Sequence, residues 1–232
     1  MHGRLNYYQG LNFIGGYCMV MHESHEDAAR QVATVLDLYM TKYIKLDLVQ
    51  VKKAFFIYDR LVSRFTPRLY RRLKQEKISV DIFCTSWMLT AFSLLSQYNP
   101  QSQDLADIWD ILLVTGWQGM FKVMVAVLKI REDLLLMLSY EEMMGFFSSL
   151  AKHDAFTDPN YMCNMVSREE KNGDSTQPET PRQIKPATRV SIKKLIKDIH
   201  ISEELLKHYE LEHMLLEKEI ASTWTLLRES PY

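Results

Sequence analysis

The chain has 232 residues, 47% of them hydrophobic and 25% charged, with 28 Lys plus Arg against 29 Asp plus Glu, a formal net charge of −1. That apolar content excludes global disorder, and the charge balance lacks the basic excess that a broad nucleic-acid-binding surface needs. Cys18, Cys84 and Cys163 are far apart, with no CxxC pair. This argues against a disulfide scaffold or a cysteine-built zinc site and fits a reducing compartment.

In chain order, helix-period patterns dominate and strict alternation is almost absent. Leu11, Ile14 and Cys18 share one helical stripe. Gly15 and Gly16 inside it cost helix propensity and are expected to admit a close neighbouring helix. His22-Glu23-Ser24-His25 reads as an exposed turn. Glu26 to Lys45 is expected to be helical, with Ala29, Val32, Ala33, Leu36, Met40 and Tyr43 on its apolar face. Val49 to Phe65 gives a second amphipathic helix through Ala54, Ile57, Tyr58, Leu61 and Phe65. Pro67 suits the first turn of a third, running through Leu69 to Lys74.

Asp81 to Ser96 reads as one buried helix, ended by Asn99-Pro100. Leu105 to Leu113 follows, Gly116 marks a turn, and Phe121 to Leu128 is apolar on nearly every side, as a central helix should be. Arg131 to Leu138 and Tyr140 to Leu150 are two shorter helices, the second with Ser139 as its N-cap and an acidic first turn. Residues 153 to 190 hold four of the seven prolines, and Glu169 to Thr180 has no aliphatic or aromatic residue. A flexible linker is expected there. Beyond it, Ile192, Leu195, Ile199, Ser202, Leu206, Tyr209, His213, Leu216, Ile220, Thr223 and Leu227 recur at 3,4 spacing. They form one stripe of a long helix, or of two helices broken near Ile201-Ser202. The stripe could pack back on the domain or take a partner helix through residues 192–227. No segment is apolar enough throughout to be expected in a membrane.

Phosphate loops, nucleophile elbows, paired catalytic carboxylates and metal-ligand spacings are missing from the sequence, so no cofactor and no metal are expected. The informative run is Asn6-Tyr7-Tyr8-Gln9-Gly10-Leu11-Asn12-Phe13-Ile14-Gly15-Gly16. Taken alone, Gln9 or Asn12 could simply hydrogen-bond the entry of the helix. The run also resembles the tyrosine-x-glutamine-glycine motif of the TBC domain, the Rab GTPase-activating domain, with Tyr7, Gln9 and Gly10 in the motif positions. Ser86-Trp87-Met88-Leu89-Thr90-Ala91-Phe92-Ser93 resembles that family's tryptophan-centred helix. Asp107-Ile108-Trp109-Asp110-Ile111-Leu112-Leu113, with Gly116-Trp117-Gln118-Gly119-Met120-Phe121-Lys122 after it, resembles its tryptophan-aspartate block.

The resemblance covers roughly residues 4 to 150. It implies an all-α, multi-helix TBC-like domain over 1–152, N-terminally incomplete, followed by the linker at 153–190 and a C-terminal helical extension at 191–229. It also implies a GTPase activator acting on a Rab-type small GTPase in its GTP-Mg form, a regulator rather than an enzyme with a substrate of its own. Its setting would be the cytoplasm, with recruitment to the cytosolic face of endomembranes, and vesicle trafficking its process. The glutamine of the motif, here Gln9, would orient the attacking water, an amide being able to donate and accept without a charge that clashes with phosphate. Tyr7, Gly10 and Asn12 would shape its loop and contact the GTPase.

The family's isoleucine-x-x-aspartate-x-x-arginine motif should precede the glutamine, and only eight residues do so here. Ile44-x-x-Asp47-x-x-Gln50 has the spacing but ends in glutamine and lies on the wrong side of Gln9. Arg4 has no place in the pattern. Two expectations follow. Either the chain is part of a longer protein that carries the arginine, or it is a short form that has lost it. In the second case it would be a catalytically inactive GTPase-binding or protein-interaction module.

Overall fold

A computed structural model describes residues 7–43, 48–150 and 191–229; the expected linker at 153–190 lies outside the described residues, as do Arg4 and residues 44–47. Every regular element among the described residues is helical. The elements are α1 (Leu11–Met21), α2 (His25–Val35), a π-helical turn (Leu36–Met40) leading to α3 (Thr41–Tyr43), α4 (Leu48–Phe65), α5 (Pro67–Gln75) and α6 (Val80–Thr90). After a 3-10 turn (Ser93–Gln97) come α7 (Gln103–Ile130), α8 (Glu132–Met137), α9 (Tyr140–Leu150), α10 (Ile192–Leu195), a second 3-10 turn (Ile196–Asp198) and α11 (Glu203–Glu229).

Local chemistry explains three helix starts. Ser24 caps α2 by accepting from the Glu26 N–H at 3.2 Å, and Glu26 and Asp27 complement the positive helix start. Pro67 occupies the first turn of α5, where its missing N–H costs nothing. Ser139 and Glu142 form a reciprocal capping box on α9. The Glu142 N–H donates to Ser139 Oγ at 3.3 Å and the Ser139 N–H to Glu142 Oε2 at 2.7 Å.

The core is built around α7. Val123 to Leu128 are all buried, so this stretch is enclosed on every side. The helix contacts α4, α8, α10, both 3-10 turns and the π turn. It is long and apolar enough to cross a membrane by length and composition, but 61% of its most apolar window is buried within the chain. Ile57, Tyr58, Leu61 and Val62 of α4 are buried, and the Tyr58 hydroxyl donates to the Met124 carbonyl of α7 at 3.0 Å. Each large side chain so buried contributes about 1.5–3 kcal/mol.

Gly116 marks the turn expected of it: at φ 56°, ψ −138° it is non-helical, and α7 is two helical halves joined across a kink there. Three sequence expectations change. The expected helix from Asp81 to Ser96 stops at Thr90, because Ala91 and Phe92 both adopt left-handed backbone, φ 47° and 62°. The inward face running from α2 into the π turn adds Ala28, Val35 and Tyr39 to the expected Val32, Leu36 and Tyr43, whereas Ala29 and Ala33 are exposed. The aromatic pairing decides that register. Tyr39 stacks on Trp117 at 4.4 Å and Tyr43 meets the same indole edge-on at 4.7 Å, while the Trp117 N–H donates to the Tyr39 carbonyl. Gly15 and Gly16 admit no close helix, since a Cβ at either meets no described atom within 4 Å.

The C-terminal stripe packs back on the body through its first half. Ile192, Ile199, Ile201, Leu206, Tyr209 and His213 are buried, and α11 lies against α4. Ser202 breaks the stripe into two helices, its Oγ accepting from the Leu205 N–H at 3.2 Å. Polar clamps fix the segment. Lys193 Nζ bridges Asp107 at 2.9 Å and Asp110 at 2.8 Å, Gln118 donates to the Ile201 carbonyl at 2.7 Å, Arg60 pairs with Glu212 at 2.6 Å, and Glu210 accepts from Tyr43 and Lys42. Past His213 the stripe emerges, and Leu216 and Ile220 are exposed.

Candidate functional site

The Tyr7–Asn12 run forms a tight turn entering α1. The Leu11 N–H donates to the Tyr8 carbonyl at 3.2 Å, which places Gln9 and Gly10 at the two central positions. Gly10 has φ 116°, ψ −21°, and a positive φ at the third position of a type II or type I′ turn is what a glycine supplies. Gly10 is also buried. A Cβ built on it would come 3.2 Å from Thr90 Cγ2 and 3.4 Å from the Leu89 carbonyl oxygen. The motif glycine is therefore needed twice, for its backbone angle and for its seat on the end of α6.

That seat holds the turn while leaving its tip free. Gln9 and Asn12 are exposed, and Tyr7 is 72% exposed. The structure thus leaves three of the expected residues exposed and buries the fourth, Gly10, as the pivot of the turn. Tyr8 was only a spacer in the sequence pattern, yet it is the anchor. It packs against the core, and its hydroxyl is buried with no hydrogen bond among the described residues. Burial raises the Tyr8 pKa above the ordinary tyrosine range. Burial, with Tyr8 and Cys84 adding to it, raises that of Tyr39 as well. Both phenols stay neutral at physiological pH.

The end of α6 beneath Gly10 is a Schellman motif. The Phe92 N–H donates to the Trp87 carbonyl at 3.0 Å and the Ala91 N–H to the Met88 carbonyl at 3.4 Å. Ala91 stands where glycine is usual. Its carbonyl accepts from the Trp109 indole N–H at 3.0 Å, and the Trp109 ring meets Tyr17 of α1 edge-on at 4.8 Å. Tyr17 is pushed up to about 12 by burial first and then by Asp110. Sequence reading had no means of finding the Trp109–Ala91 bond, which links residues 18 apart across a loop.

The chemistry available here is that of presentation. An exposed neutral amide sits on a rigid turn, and the neighbouring phenols are held protonated. Cys18 and Cys84 are buried, with thiols raised by desolvation, Cys18 up to about 11. No group of three or more metal-ligating side chains occurs among the described residues. Ile44 and Asp47, whose spacing imitates the arginine motif, lie outside the described residues, and Gln50 is half-buried on α4.

Comparison with known proteins bears on this arrangement. The Rab-GTPase-TBC domain model matches residues 1–136. TBC1 domain family member 4 of Mus musculus is 26% identical over 147 residues, 62% of this chain and 11% of that protein. The GTPase-activating protein GYP5 of Saccharomyces cerevisiae is 26% identical over 143 residues, 61% of this chain and 16% of that protein. Small G protein signaling modulator 3 homolog of Xenopus laevis is 27% identical over 133 residues, 57% of this chain and 17% of that protein. The chain thus spans less than a fifth of the length of each of these relatives. The matched stretch contains the Gln9 turn, the Trp87 helix and the Trp109 helix, and the chain belongs to the Rab-GTPase-TBC domain family.

Proposed function

We propose that this chain carries the glutamine half of a GTPase-activating domain for Rab-type small GTPases in their GTP-Mg form, working at the cytosolic face of endomembranes. The presentation of Gln9 carries the reading: a neutral amide at the exposed tip of a turn whose glycine is locked onto α6. The amide carbonyl would accept a hydrogen bond from the attacking water while the NH2 donates one to a phosphoryl oxygen, so the nucleophile is aligned without a charge opposed to the phosphate. Tyr7 and Asn12, exposed beside it, would contact the GTPase. An arginine in a longer form of the protein would offset the charge that develops on the transferring group. The bond between the β- and γ-phosphates breaks in the GTPase, and the chain supplies groups to that reaction in trans.

The test is phosphate release from GTP-loaded Rab-type GTPases mixed with a form of the chain extended to carry the arginine. Stimulated hydrolysis that falls roughly 100-fold in Gln9→Ala is the expected result. Stimulation unchanged in that variant removes Gln9 from the mechanism.

One observation favours a second reading, that of a protein-interaction module. On α11, Leu211, Met214 and Leu215 recur at 3,4 spacing and are exposed, on the side away from the buried stripe, and Leu216 and Ile220 are exposed beyond it. Tight GTPase binding without any stimulation, lost on placing a charge at Leu215, would support that reading instead.

A further inference from the structure

The turn that presents Gln9 is only as rigid as the two elements flanking it, α1 and the end of α6. One buried side chain touches both. Trp109, 3% exposed, donates its indole N–H to the Ala91 carbonyl at 3.0 Å and sets its ring 4.8 Å from that of Tyr17. Ala91 follows directly on Leu89 and Thr90, the residues on which Gly10 rests. Tyr17 lies on α1, which the turn enters.

The contact at Ala91 is needed there. Ala91 and Phe92 are two consecutive non-glycine residues at positive φ, and each costs about 1–2 kcal/mol relative to ordinary backbone. Such a conformation persists only where its surroundings over-determine it. The Schellman bonds to Trp87 and Met88 account for the amide hydrogens, Ser93 Oγ donates to the Thr90 carbonyl at 2.6 Å, and the Ala91 carbonyl is taken by Trp109. Without that donor the Ala91 carbonyl loses the indole partner the structure gives it, and the strained pair is free to relax. The floor under Gly10 would move with it.

We propose that Trp109 is a positioning residue for Gln9: its indole N–H fixes the left-handed end of α6 on which the Gly10 pivot sits, and its ring ties that end to α1. This rests on the reading of Gln9 as the water-orienting group, but its test does not need a GTPase.

The decisive variant is Trp109→Phe, which keeps an aromatic ring against Tyr17 and removes the donor. Backbone 15N relaxation on the full chain reads the result. In the wild type the amides of Gln9, Gly10 and Leu11 should show order parameters near about 0.85, and in Trp109→Phe they should drop below about 0.6, with α5 amides unchanged. A Trp109 that merely fills the core would lower thermal stability and leave those three values where they were; that outcome overturns the proposal. Should Trp109→Phe fail to fold, replacing Trp109 by benzothienylalanine keeps the ring shape and removes only the N–H, and the same amides decide. With a responsive GTPase, kcat for stimulated hydrolysis should fall roughly 10- to 100-fold in Trp109→Phe at an unchanged KM. If Gln9→Ala leaves hydrolysis intact while Trp109→Phe still mobilises the turn, the catalytic reading of Gln9 fails and the positioning by Trp109 stands. If Gln9→Ala abolishes stimulation and Trp109→Phe leaves the turn rigid, the reverse holds.

Discussion

The Gln9 turn and the α10–α11 segment are both attached to the α7-centred body, and they are attached by opposite means. The turn is held by its backbone and by one buried phenol: a Tyr8–Leu11 hydrogen bond, a glycine seated on the last residues of α6, whose Ala91 carbonyl is gripped by an indole, and the Tyr8 ring packed against the core. The C-terminal segment is held by buried aliphatic side chains and by ion pairs through Lys193, Arg60, Lys42 and their carboxylates. Neutral hydrogen bonds and close packing carry no charge for salt to screen or pH to titrate. Side-chain ion pairs hold a helix in place while leaving it sensitive to both. The water-orienting role proposed for Gln9 needs the first kind of support.

The contrast can be broken most forcefully from the C-terminal side. Leu206→Ala empties the main apolar contact of α11 and should cost about 2–5 kcal/mol in urea unfolding, while hydrogen exchange of the Gln9 turn at low denaturant stays unaltered. Gly10→Ala attacks the other side. An L-residue at φ 116°, with its Cβ 3.2 Å from Thr90 Cγ2, should lose about 1–3 kcal/mol, and the loss should centre on residues 7–13 and 89–93 in an exchange map.

Acid should separate the two attachments without mutation. Burial pushes the Asp107 carboxyl up, but hydrogen bonds from Lys193 and Gln103 and the charge of Lys193 outweigh it and hold the group below its ordinary value. Glu210 is lowered in the same way, burial being outweighed by Tyr43 and Lys42. A depressed carboxyl stabilises the fold fully above its unfolded pKa, about 4, and that stabilisation is lost as the pH falls through the lower folded value. Between neutral pH and pH 3 the NMR resonances of residues 191–213 should therefore shift and broaden before those of residues 7–13; simultaneous loss would deny the distinction.

Two smaller effects sharpen it. Ala91→Gly should stabilise by roughly 0.5–1 kcal/mol, since relief of left-handed strain exceeds the added entropy of the unfolded chain. A thermal melt showing a lower midpoint would mean that Ala91 is not strained. A double-mutant cycle on Arg60 and Glu212, both about one-third exposed, should give a coupling of about 0.2–1 kcal/mol that shrinks in 0.5 M salt.

Much of the fold was legible because its signals are local. Pro67, the Ser139–Glu142 box and the apolar periods of α4 and the 192–213 stripe each act within a few residues of themselves. The end of α6 was hidden because alanine and phenylalanine occupy positions where a glycine would have announced the stop. The register of α2 was hidden because Trp117, far along the chain, decides which tyrosines turn inward. The same division runs through the site. Gln9 and Gly10 stand out as a motif, but Tyr8 and Trp109 matter through contacts that sequence spacing does not encode.

One further consequence concerns how the molecule is made. The face of α7 that carries Asp107 is covered by Ser191 and its neighbours, 84 residues later in the chain. At about 5–20 residues per second, translation leaves that face waiting roughly 4–17 s for its cover. During that interval Asp107 and Asp110 stand without the Lys193 ammonium that pairs with both in the folded chain.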